Sequence, residues 1–116
     1  MIEDTLQDFL NIVADYPVYM EIPQNPPTRF YILEKTGGSQ TNYIYNSTFV
    51  IQSYAESLYE ASLMNDAIKD IMIYQSIEND EIASVKLNSN YNFTDSATKR
   101  YRYQAVFDIT HYSGGK

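Results

Sequence analysis

Residues 99–112 read KRYRYQAVFDITHY, which sets Tyr101, Tyr103, Ala105, Phe107, Ile109 and His111 on one side of an extended chain and Arg102, Gln104, Val106, Asp108 and Thr110 on the other. Successive side chains of a strand point to opposite faces, so the alternation predicts a strand with one buried face. The same stretch holds Lys99, Arg100 and Arg102, three of the 8 basic residues, and the only histidine. It is a structural element and also the first place to look for a site.

Upstream of it, IASVKL (82–87) predicts a short strand, separated from the last one by NSNYNFTDSATK. Before that lies a helix. Ser53 and Glu56 have the S-x-x-E spacing of a capping box, which places the helix start near Tyr54. Tyr54, Leu58, Ala61, Met64, Ile68, Ile71 and Met72 then form an inward stripe, and Glu56, Glu60, Asp66, Lys69 and Asp70 are left to solvent. Further back, RFYILEK and NYIYNSTFVIQ alternate as strands around TGGSQT, whose paired glycines predict a flexible hairpin loop. PVYMEIP reads as another strand, joined to RFYILEK by a QNPPT turn. At the N-terminus, Ile2, Leu6, Phe9, Leu10 and Val13 predict an amphipathic helix ended by Tyr16-Pro17. The order α-β-β-β-α-β-β predicts an α+β fold: one domain over residues 1–112, with a mostly antiparallel sheet packed against two helices, and a flexible C-terminal tail at 113–116.

A chain of 116 residues, 44% apolar and 20% charged, is enough for one cored domain. With no cysteine there is neither a disulfide framework nor a thiolate metal site, and the opening MIEDTLQD is unlike a signal peptide, so an intracellular place of synthesis is expected. No apolar run is long enough to predict a membrane span. The net charge of −7 argues against a nucleic-acid groove, because such affinity comes from neutralising phosphates. The charge is uneven: residues 1–22 and 54–81 are strongly acidic, whereas Lys86, Lys99, Arg100, Arg102 and Lys116 make the last third basic. The 12 tyrosines suit half-buried strands and protein interfaces equally.

The chemical motifs fail on inspection. A lone His111 without cysteine does not predict a metal site or a catalytic centre. NSNYNFTD has alternating oxygen ligands but lacks the carboxylates, turn glycine and terminal Glu of a calcium loop. TGGSQT lacks the ending of a phosphate loop, and no G-x-S-x-G elbow occurs. The pairs Glu56/Glu60 and Asp66/Asp70 read as a solvated helix face or a docking surface for a basic partner. No catalytic, cofactor-binding or metal-ligating residue is expected.

The phrases RFYILEKTGG, TFVIQSYAESLYEAS and above all NFTD-x-x-TK-x-YRYQAVFD resemble small proteins from the head-to-tail morphogenesis clusters of long-tailed phages and prophages of Gram-positive bacteria. They are most similar to the tail-terminator, or tail-completion, proteins. The resemblance runs from the first helix to Tyr112. It implies a structural role without catalysis or cofactor: a homo-oligomeric ring, typically a hexamer, that caps the tail tube, ends its polymerisation and meets the head-side neck or connector protein. The implied location is the virion, after assembly in the bacterial host cytoplasm. A head-tail connector or minor capsid protein of the same cluster is the alternative, and an acidic DNA-mimic inhibitor is the alternative of another class. On this reading Thr36, Gly37, Gly38, Ser39, Gln40 and Thr41 are expected to contact a partner. A ring joins unlike surfaces, so Lys99, Arg100 and Arg102 of one subunit are expected to meet Glu56, Glu60, Asp66 and Asp70 of the next. The competing expectation is that these bases pair with acids of their own subunit.

Overall fold

The computed structural model describes residues 2–41, 44–95, 97 and 100–112. In chain order it contains α1 (Ile2–Val13), β1 (Val18–Tyr19), β2 (Phe30–Thr41), β3 (Ile44–Ala55), α2 (Leu58–Asp70), β4 (Ile82–Asn92) and β5 (Tyr101–Tyr112). A π turn at Ile71–Gln75 and a 3-10 turn at Ser76–Glu78 follow α2. The strands form one sheet in the order β1-β2-β3-β5-β4, antiparallel except for β1 beside β2. This is the α+β domain that the element order predicts. The expected tail at 113–116 lies outside the described residues.

The alternation of β5 decides which side is covered. Ala105, Phe107, Ile109 and His111 are buried, and Phe107 lies opposite Phe49 in the ladder with Ala105 opposite Ile51. Leu6 and Leu10 of α1 and Ala61, Met64 and Ile68 of α2, with Met72 beyond it, join that core. Tyr31 crosses it to donate its hydroxyl proton to the Met64 carbonyl at 3.3 Å. The opposite sheet face has a small cluster of its own, Phe30, Ile32 and Tyr54, with the Phe30 and Tyr54 rings stacked 4.7 Å apart.

Four local expectations need correction. The second helix starts at Leu58, not near Tyr54: Ser57 is the N-cap and accepts from the Glu60 N–H at 3.2 Å, while Tyr54 and Ala55 remain in β3 opposite Arg102 and Tyr101. Both Ser53 and Ser57 begin an S-x-x-E, and strand pairing claims the first. TGGSQT is not a hairpin loop, since Thr36 to Thr41 belong to β2 and the ladder continues until Thr41 faces Ile44. The register slips between Lys35 and Gly37, a bulge at Thr36. NSNYN extends β4 rather than leaving it, with further slips at 82/84 and 87/89. Finally, PVYMEIP pairs only through Val18 and Tyr19, parallel to β2, and Met20 and Ile22 are exposed. Val18 is fastened to α1: its N–H donates to Asn11 Oδ1 at 2.9 Å, and its carbonyl accepts from Asn11 Nδ2 and Gln7 Nε2.

Candidate functional site

The basic strand start is divided. Lys99 lies outside the described residues. Arg100 is exposed and, among the described residues, is held by a two-way backbone bridge with Asp95. Arg102 points to the sheet face away from the main core, the side of Phe30 and Tyr54, and is built into it. Its Nε donates to the Phe93 carbonyl at 2.7 Å and its Nη1 to the Tyr54 hydroxyl at 2.9 Å, with the guanidinium 4.4 Å from the Phe93 ring centre. A directed chain of hydrogen bonds continues from there: Tyr54 to Gln52 at 3.1 Å, Gln52 to Gln104 at 2.9 Å, and Gln104 to the Tyr91 hydroxyl at 2.5 Å. Cation–π contact and paired polar groups of this kind fix a surface rather than leave it adaptable.

The acids divide as well. Arg29 grips Glu56 in a two-pronged pair, Nε to Oε1 at 2.9 Å and Nη2 to Oε2 at 2.5 Å, and reaches Glu60 at 3.3 Å. Its Nη1 also donates to the Tyr16 hydroxyl at 3.0 Å. The hydrogen bond from Arg29 lowers the Glu56 pKa to about 2. Asp66 pairs with Lys69 at 3.2 Å, and Asp70 is exposed. Because Ala55 faces Tyr101 in the ladder, Glu56 and Arg100 leave the sheet at the same end of one subunit. Glu56 and Glu60 therefore have an intrasubunit partner, but it is Arg29 rather than the basic strand, a residue that sequence reasoning did not single out.

Arg100 rims a groove of about 190 Å³ lined by Pro26, Thr28, Phe30, Tyr54 and Tyr101. At the other end of the sheet, Gly38 floors two shallow hollows of about 320 Å³ each, one beside Thr48 and Asp108, the other beside Lys35 and Tyr45. The predicted partner segment, Thr36 to Thr41, thus lies on an edge strand: β1 pairs with β2 at Tyr31 and Ile32, and from Leu33 to Ser39 none of the described strands lies on the outer side of β2.

His111 is a core residue. Its Nδ1 lies 3.3 Å from the Tyr112 carbonyl and its Nε2 2.8 Å from the Ser47 hydroxyl, and burial pushes its pKa below the ordinary 6.5. Among the described residues, no group of three His, Cys, Asp or Glu side chains is placed to hold a metal ion. None of the helices among them is long and apolar enough to cross a membrane.

Two features of α2 escape a simple stripe. Asn65 faces inward, buried, and donates to Asn90 Oδ1 at 3.3 Å, tying the helix to the far end of β4. On the outer side, Tyr59 and Leu63 are 68% and 45% exposed, as is Tyr74 beyond the helix at 69%. Sequence reasoning did not single out Tyr59 and Leu63, although their four-residue spacing places them on one face of a helix. No family model matches the sequence, and comparison with curated proteins gives no match.

Proposed function

We propose that this chain is a non-enzymatic subunit of a tailed phage or prophage, which forms a ring, six subunits in number, at the head-proximal end of the tail tube. There it ends tube growth and offers the surface that joins tail to head. The sequence phrases quoted above support the tail-terminator identity. The observation that carries an assembly role is the unshared edge of β2. From Leu33 to Ser39 the strand has one side bonded to β3 and none of the described strands on the other. Such an edge is a template for another chain. Its upper part is blunted by Glu34, Lys35 and the bulge, whereas Gly38 to Thr41 run in unbroken register with β3.

The test is tail length. Inactivating the chain in phage-producing cells is expected to give tails of uncontrolled length by electron microscopy, and supplying it in trans to restore a uniform length. Tails of uniform length that simply lack heads would assign it to the connector role instead.

A further inference from the structure

α2 is apolar on two sides, and only one of them is used. Ala61, Met64 and Ile68 enter the core. Along the opposite line stand Tyr59, Leu63, Asp66 and Asp70, followed within the π turn by Tyr74, which is 69% exposed. Exposed aromatic groups interleaved with acids fit a partner surface that is apolar and basic. The chain carries one: the groove of about 190 Å³ lined by Pro26, Thr28, Phe30 and Tyr101, the size of a single aromatic side chain, with Arg100 at its rim.

Helix line and groove do not meet within a subunit. Phe30 and Tyr54 belong to the sheet face turned away from α2. Asp70 also stands about 18 Å along the helix from its start, at a rise of 1.5 Å per residue, whereas the groove adjoins that start. Two unlike, complementary surfaces at a distance on one chain are what a closed ring needs. We infer that α2 of one copy docks on the Arg100 groove of the next, with the Tyr74 ring in the groove and the Asp70 carboxylate facing Arg100. This rests on the ring reading and specifies its contact.

The absence of cysteine from the chain makes the contact testable by cross-linking. Two single variants at exposed positions, Gln75→Cys and Thr28→Cys, are prepared with different mass tags, mixed and mildly oxidised, and the particle mass of each sample is measured by light scattering. The expected product is a disulfide joining one chain of each kind, with none in either variant alone, and its loss when Tyr74→Asp is added to the Gln75→Cys chain. A disulfide between two Gln75→Cys chains would mean a two-fold contact and overturn the inference. An assembled particle without the mixed disulfide overturns the docking while leaving a ring built through other surfaces. Monomers at every concentration, with no disulfide, overturn the docking and the ring together.

Discussion

Arg102 Nη1 donates to the Tyr54 hydroxyl at 2.9 Å, and the guanidinium lies 5.7 Å from the centre of the same ring. Two residues earlier, Arg100 is exposed, and its hydrogen bonds among the described residues are the two backbone bonds to Asp95. One basic strand start thus has a structural arginine and an available one.

Substitution should separate them. Arg102→Ala removes two hydrogen bonds and the stacking on Phe93 and Tyr54, and should cost about 1–3 kcal/mol in denaturant unfolding. Arg100→Glu should leave folding within about 0.5 kcal/mol and reduce assembly measured by light scattering. Equal destabilisation by both would mean that Arg100 is structural too.

The glycines of β2 should differ from each other. A Cβ on Gly38 would stand 2.9 Å from the Asn46 carbonyl oxygen, while one on Gly37 meets nothing within 4 Å. Gly38→Ala is therefore expected to cost about 1–3 kcal/mol, since backbone must move. Gly37→Ala should be neutral or slightly stabilising, by up to about 1 kcal/mol. Thermal unfolding of the two variants reads the difference directly.

Two serines four residues apart should respond in opposite directions. Ser57 caps α2, so Ser57→Ala should lose about 0.5–2 kcal/mol. The Ser53 hydroxyl is fully buried and has no hydrogen-bond partner among the described residues, so Ser53→Ala should hold or raise stability. A large loss at Ser53 with none at Ser57 would return the helix start to Tyr54.

Acid should act through His111. Burial favours its neutral form, the Tyr112 carbonyl, Glu81 and Glu3 act in the opposite sense, and Lys35 reinforces burial. With the folded-state pKa below 6.5, the unfolded chain takes up a proton first as pH falls. The folded state then loses stability from about pH 6.5 down to its own pKa, and above that range this residue's contribution is constant. Proton NMR of the only histidine should give a midpoint below 6.5, and a midpoint at or above it would contradict the burial.

The legible parts of this fold were those with one strongly apolar face. β5, β3 and α1 could be read from spacing because Phe107, Phe49 and Leu6 each repeat with neighbours of the same burial. The misread parts depended on partners distant in sequence. Gly37 and Gly38 look like turn residues by their backbone freedom, yet Gly38 is required by the close approach of Asn46. NSNYN carries little apolar signal and is held as a strand by β5 and by the bond from Asn65 to Asn90. Among the candidate interface residues, the charges were visible but their pairing was not, since Arg29 lies 27 residues from Glu56.

The place of β5 in the sheet bears on how the protein is made. Among the described residues β4 has no strand neighbour but β5, and β3 has β5 as one of its two. A ribosome releases residues 101–112 after those of β1 to β4, so the joining of β4 to the rest of the sheet waits on β5. Until then, β3 and β4 each present an unpaired edge, and such edges make a partly made chain prone to association. A ribosome-stalled chain lacking residues 101–112 should accordingly be a chaperone client, even while the β2–β3 hairpin has already formed.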